Sequence, residues 1–480
     1  MSVFKRFGLP QGVTPMFSGR GIAKLILPLI IQNVLSVAVG AVDTVMVSYA
    51  GEAAVSGVSL VNSLDTLLVL FFSSLVTGGA VIVAQAIGKK KKDEAQETSK
   101  QLLYASTAMA LLLSVAVIIF RKPLLNLLFG EAEEAVMVSA ERYFFYIAMS
   151  FPMLAISSSI TAIFRVAGNS FAAMIVSVAT NLINIGGNAL LIMGFEMGSA
   201  GAAISTLVAR FVGAAVMLIL LNRKNGIFYI ERLLHYKPNL GVIKEILRIG
   251  VPNGVEDAMF QFGRLLTQTL ISSMGTATIA ANAVALTVSN FQYTAGSAYS
   301  GAMITVVGRC VGAEDEKQAK YYSRLIAALN YMTLWLIVAV TVGLITPIVS
   351  LYDLSPASAD IAKQLIIYHS VCAAVLWPIA FMMPSAFRAA KDVRFPLIVS
   401  LVSMWVFRVA GSYVLALETV SVFGLFSFSG AGMGIMGVWV AMTVDWAFRF
   451  ALFLARYLSG RWLKQNKPKV SKRSLLLSKR

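Results

Sequence analysis

Apolar residues run through the chain in long stretches, separated by short polar or turn-rich breaks. Six such stretches fall at about 22–49, 61–87, 101–120, 138–163, 171–194 and 201–221. After a basic connector, six more follow at about 250–273, 283–308, 325–346, 364–386, 397–417 and 435–458. A helix needs about 20 predominantly apolar residues to cross a bilayer. The pattern therefore predicts an all-α polytopic membrane protein with twelve transmembrane spans. Composition agrees: 58% of the 480 residues are hydrophobic and only 13% charged, with a mean hydropathy of +0.77. A soluble chain of this length needs far more charged surface.

The net charge of +17 could suit nucleic acid, but the placement of the basic residues excludes that reading. Counting Lys24 and Arg456, at the outermost turns of the first and last spans, with the tails, Lys and Arg number 32 in the two tails and the even-to-odd loops, against Arg121, Lys122 and Lys363 on the other side. Under the positive-inside rule this bias puts both termini in the cytoplasm, and the expected location is the cytoplasmic (inner) membrane. The run Lys89–Lys92 and the tail from Arg456 read as topology determinants, with lipid headgroup binding as the alternative. No cleavable signal peptide is expected, since Met1–Arg20 lacks an apolar core ending in small residues. Cys310 and Cys372 have no metal-ligand spacing and read as apolar filler.

Sliding the chain along itself until Pro28 falls on Pro252 superimposes further landmarks without a gap. Gly51 then falls on Gly275, Gly88 on Gly312 and Pro123 on Pro347. With small slips, Phe164-Arg165 matches Phe387-Arg388, and Gly198 and Gly201 match Gly434 and Gly437. Six spans per repeat is an even number, so the halves run parallel through the membrane. Such halves commonly rock about a midplane cavity, which points to a secondary transporter. The resulting division is an N-terminal lobe (1–221), a cytoplasmic connector (222–249), a C-terminal lobe (250–458) and a basic tail (459–480). Within the connector, Glu231–Leu234 and Ile243–Leu247 look like an amphipathic interfacial helix.

Polar residues inside spans are costly and mark candidate sites. Asp43 lies within the first span with almost nothing polar around it in sequence. The fifth span carries Ser177, Asn181, Asn184 and Asn188 on one helical face, and the sixth carries Thr206 and Arg210. One carboxylate, a hydroxyl and several amides make an oxygen-rich set suited to a proton relay or a small cation such as Na⁺; packing glue between helices is the plainer reading. The seventh span has its own stripe of Asn253, Glu256, Asp257, Gln261, Arg264 and Gln268. Asp257 and Arg264 fall two turns apart, so an internally neutralised pair and a substrate contact are both open. Asp445 and Arg449, spaced i, i+4, read as a structural pair. Pro28, which lacks a backbone donor, is a candidate hinge.

The chain resembles the multidrug and toxic compound extrusion (MATE) family across nearly its whole length. The resemblance is carried by Leu27-Pro28 with Asp43 fifteen residues on, Val83–Gly88, Phe164–Asn169, Gly201–Thr206, Gly250-Val251-Pro252 and Trp405–Arg408. It implies two six-helix lobes facing each other in a V, and export of organic, often cationic, compounds driven by inward H⁺ or Na⁺. It is nearest the branch with a coupling acid in the first helix (DinF-type), where that site falls on Asp43, Asn184 and Thr206. A further site position, acidic in some relatives, is Asn188 here, which leaves the choice of ion open. The other branch carries acids in its seventh and tenth helices; the first falls near Phe260, and the span 364–386 has no acid.

These readings converge on an ion-coupled antiporter with no cofactor, acting on a small molecule across the bilayer as a monomer. Arg210 and Arg264 keep a rival open, a flippase or exporter of a lipid-linked or anionic substrate. An enzyme is disfavoured, because His235 and His369 are the only histidines and no metal cluster or nucleophile motif is present. ATP drive is disfavoured by the lack of a Gly-rich loop followed by Lys-Ser/Thr.

Overall fold

In the computed structural model, residues 14–224, 228–231, 233, 237–422 and 426–466 are described. All twelve expected spans are helices. The first three are Gly19–Ser48, Glu52–Gly88 and Lys92–Phe129. The fourth is a bent pair, Glu134–Met149 and Phe151–Ala167, turned by 45° at Ser150. Pro152 removes a backbone donor just past that break, which accounts for the bend. Ser170–Asn188 continues into a π-helical turn, Ala189–Gly194, to make the fifth span, and Gly198–Leu221 is the sixth.

The C-terminal lobe repeats this plan. Its seventh to ninth spans are Leu240–Ser272, Thr276–Gly312 and Glu316–Gly343. The tenth joins Pro356–Trp377, a π turn Pro378–Met382 and Met383–Ala389. The eleventh joins Arg394–Val402, a π segment Ser403–Ala410 and Gly411–Ala416, and the twelfth is Gly434–Leu458. Among the described residues nine helices are singly long and apolar enough to cross a membrane, ten with the bent pair. The seventh and eighth spans have the length, 33 and 37 residues, but carry more polar positions.

Two details depart from the sequence reading. Between the last two spans a hairpin forms, β1 (Thr419–Val422) pairing antiparallel with β2 (Phe426–Ser429). Its Thr-Val-Ser-Val and Phe-Ser-Phe-Ser alternation has the period of a strand. The connector also holds no separate interfacial helix among its described residues. Ile243–Leu247 belongs to the seventh span, which starts at Leu240 after the Asn239 side chain caps the Val242 amide. Glu231 and Leu233 sit in turns, while Arg232, Leu234–Tyr236 and the tail beyond Asn466 lie outside the described residues.

The repeat is visible in the backbone. Glu52–Gly88 and Thr276–Gly312 are both 37 residues long, and each is entered through a glycine, Gly51 (φ 92) or Gly275 (φ 91). Lys90 and Glu314, equivalent positions of the repeat, both have φ 59. The lobes meet most closely at the end carrying the lysine run. A Cβ on Gly88 would lie 2.1 Å from the Arg309 carbonyl oxygen, and one on Gly312 2.1 Å from that of Gln85. Gln85 and Arg309 are themselves repeat equivalents, so the contact is reciprocal, as across a two-fold dimer. Gln85 Nε2 also donates to the Ala389 carbonyl at 2.7 Å.

Candidate functional site

The first span brings Asp43 against the end of the fifth, where Asn188 forms the last helical residue before the π turn. Asn188 Nδ2 donates to Asp43 Oδ1 at 2.7 Å. Asn184, one turn earlier and buried, completes the carboxylate's surroundings. With its nitrogen facing the acid, its amide reaches Asp43 Oδ1 at 2.9 Å and Oδ2 at 3.2 Å, and its oxygen lies 3.1 Å from Thr206 Oγ1. In the opposite rotation two oxygens face each other, which is favourable only with a proton or cation between them. Asp43, Asn184, Asn188 and Thr206 thus form one cluster.

Two cavities open on it. One of about 200 Å³ is bounded by Asp43, Asn62, Asp65, Tyr143, Asn188 and Arg210, among others. A second of about 580 Å³ includes Gln32, Asp43, Ser73, Arg165, Asn181 and Arg210 in its wall. Asp43, Thr206 and Arg210 border both. Arg210 is held away from Asp43 by other partners: Nη2 stands 3.7 Å from Asp65 Oδ2, and Nη1 donates to Ser150 Oγ at 2.7 Å. The bend in the fourth span thereby places an acceptor for this guanidinium. Tyr143 Oη donates to Asn62 Oδ1 at 3.2 Å in the same wall.

In the seventh span the stripe divides. Asp257 and Arg264 form no pair; Asp257 Oδ2 instead accepts from Asn253 Nδ2, one turn back, at 3.2 Å. Two helical turns separate the charges by about 10 Å along the axis, too far for the pair that same-face placement allowed. Glu256 is a brace, not a free cavity acid. It accepts from Arg388 Nη2 at 2.8 Å and from Ser400 Oγ at 2.7 Å, tying three spans together. Gln268 is exposed and Gln261 half-buried. Arg264 turns into a third cavity, of about 190 Å³, inside the C-terminal lobe. The Asp445–Arg449 pair is present at 2.8 Å, with Arg408 3.7 Å from the other carboxylate oxygen.

Asp65, Tyr143 and Arg408 line these cavities without standing out as site residues in the sequence. For Asp65 and Arg408 a signal exists: a charge inside a span must find a partner or a cavity. Tyr143 gives none, as an aromatic at helical spacing reads as core.

A two-lobed bundle of parallel repeats, with polar clusters and cavities inside the lobes, defines a membrane transporter of small molecules rather than an enzyme. The MatE family model matches residues 28–190 and again 252–414, the second match beginning at the proline that the internal repeat pairs with Pro28. The chain belongs to this family. It is 28% identical over 479 residues to a probable multidrug resistance protein NorM of Thermotoga maritima, covering 97% of both chains. It is 25% identical over 472 residues to the uncharacterized transporter YisQ of Bacillus subtilis, covering 97% of this chain and 99% of that one. Among solved structures, an outward-facing conformation of a multidrug resistance MATE family transporter superimposes with a TM-score of 0.82 at 19% identity, over 94% of this chain and 97% of that one.

Proposed function

We propose that the protein is an antiporter of the cytoplasmic membrane that exports organic, cationic or amphipathic compounds in exchange for H⁺ or Na⁺. The observation that carries this is the Asp43 cluster, a single carboxylate held by Asn184 and Asn188 at the border of two cavities. In the empty state the amides donate to the carboxylate. When a proton or Na⁺ arrives, the Asn184 amide rotates to present its oxygen. That rotation redirects one end of the amide against Thr206, on the sixth span. An ion can drive transport only if its binding free energy differs between the outward- and inward-open forms. Bending of the first span near Pro28, a buried position without a backbone donor, supplies a means for that difference. The 32-to-3 charge bias supports cytoplasmic termini. The pseudo-two-fold axis within one chain supports a monomeric unit.

A second reading, export of a lipid-linked or anionic substrate, is favoured by Arg264 and Arg408 in the C-terminal cavity. Efflux from proteoliposomes under pH and Na⁺ gradients imposed separately tests the antiport. Efflux of cationic dyes should follow one gradient and stop when it is collapsed. Export indifferent to both would overturn the proposal.

A further inference from the structure

The smaller cavity of the C-terminal lobe, about 190 Å³, stands where the repeat puts the acid-lined cavity of the N-terminal lobe. In the register that pairs Pro28 with Pro252, Asn62 corresponds to Leu286 and Asp65 to Ser289. In the later register set by Gly198 and Gly434, Thr206 corresponds to Met442 and Arg210 to Trp446. All eight line their respective cavities. The two cavities are nearly equal in volume, about 200 and about 190 Å³. Their chemistry is opposite.

Among the described residues lining the C-terminal cavity there is no Asp or Glu, while Arg264 and Arg408 both enter it. Arg264 has no hydrogen-bond or ion-pair partner for its guanidinium among the described residues. Arg408 lies over the Phe260 ring at 5.3 Å, and its one carboxylate neighbour among the described residues is Asp445 at 3.7 Å, whose other oxygen is taken by Arg449 at 2.8 Å and by Ser403. One carboxylate therefore serves two guanidiniums, and the third has none. Trp446 Nε1 and His369 Nδ1 also lack partners, but both atoms are closed off within the packed wall, on residues only 2% and 1% exposed. An indole N–H can only donate. Tyr293 Oη and His369 Nε2 share a hydrogen bond whose direction follows the imidazole tautomer. A guanidinium without an acceptor is costly to desolvate, so Arg264 in this wall calls for an acceptor from outside.

The rest of the wall is aromatic. Tyr293 stacks on Trp377 at 5.3 Å and 10°, Trp377 on Phe381 at 5.7 Å and 20°, and Phe381 meets the edge of Trp446 at 5.7 Å. A dry apolar cavity of roughly 150 Å³ holds benzene. The space therefore suits one ring bearing a small charged group. Guanidiniums pair with carboxylates in the plane of their fork. Two π-helical segments, Pro378–Met382 and Ser403–Ala410, carry Phe381 and Arg408 into this wall. Such segments are frequent at functional sites.

We propose that the C-terminal cavity is a binding site for an aromatic organic anion, with the ring packed against the aromatic wall of Tyr293, Trp377 and Trp446 and the acid group on Arg264 and Arg408. As a substrate site it rests on the transport reading and deepens its anionic form. In that anionic form the two lobes divide the work, the N-terminal one taking the ion and the C-terminal one the anion. Calorimetric titration of the purified full chain in detergent micelles tests this directly. The probes are benzoate, benzylammonium and benzyl alcohol, which share a shape and differ in charge. Benzoate should bind saturably and the other two at least tenfold more weakly. Arg264→Gln should weaken benzoate at least tenfold, whereas Lys122→Gln, an exposed change outside the cavity wall, should leave it unchanged. If Arg264→Gln fails to yield a monodisperse protein, Trp446→Phe, which removes only the N–H donor and part of the ring, should weaken benzoate about threefold or more. Equal binding of benzylammonium, no saturable benzoate binding, or benzoate binding indifferent to the purifiable variant would overturn the assignment. Because binding is read without a gradient, benzoate binding with no gradient-driven efflux would instead count against the transport reading alone.

Discussion

Charged side chains inside the bundle fall into those that are paired and those that are exposed to a cavity. Asp445 is fully buried between Arg449 and Ser403, and Glu256 is held by Arg388 and Ser400. Removing one partner of such a pair leaves the other as an uncompensated buried charge, a cost of about 3–5 kcal/mol. Asp445→Asn should therefore lower the thermal midpoint in detergent by several degrees and depress yield. Lys122→Gln, which removes an exposed partner 3.5 Å from Glu141, should change stability by less than about 1 kcal/mol. A thermal shift as large for Lys122→Gln as for Asp445→Asn would contradict this division. Asp43 is different in kind, half-buried against two amides and with no cation beside it among the described residues. That contrast could not be read from spacing. The polar face of the fifth span was legible as Asn181, Asn184 and Asn188, and Asp43 stood out by isolation. The pairing of Asp65 with Arg210 depends on distant spans and on the bend at Ser150.

At the scale of elements, the two close approaches at Gly88 and Gly312 fix how tightly the second and eighth spans seal one end of the bundle. A larger residue has no room beside a carbonyl oxygen 2.1 Å from its Cβ, so the backbones must part. Gly312→Val should thus make Ala84→Cys, which faces Gly308 across this seam, more reactive to a maleimide, with reduced efflux. Unchanged labelling at Ala84→Cys would show that the seam does not control closure. Helix positions were largely legible because hydrophobic length and landmark prolines and glycines survive in both repeats. The π segments, the β1–β2 hairpin and the early start of the seventh span were not. Each depends on local hydrogen bonding that leaves little trace in an average hydropathy. The connector has the same difficulty, since the amphipathic stretch Ile243–Leu247 is simply the polar first turns of a long membrane helix.

For the whole molecule, the 32-to-3 bias of basic residues predicts that the sealed, lysine-rich end faces the cytoplasm. A cysteine replacing Lys91 should react with an impermeant thiol reagent only from the cytoplasmic side, and one replacing Glu133 only from outside. The reverse pattern would invert the topology and, with it, the direction of transport. In the proposed division of labour between lobes, ion coupling falls on Asp43, since the seventh-span acids are braced or bonded within their own helix. The most direct test is gradient-driven efflux by Asp43→Asn in proteoliposomes, beside Asp257→Asn and the unaltered chain. Asparagine at 43 keeps the shape but can neither give up a proton nor offer a charge to Na⁺. We expect normal insertion and yield, no efflux by Asp43→Asn under either an H⁺ or a Na⁺ gradient, and preserved coupling in Asp257→Asn. Normal gradient-driven efflux by Asp43→Asn would contradict coupling at this carboxylate.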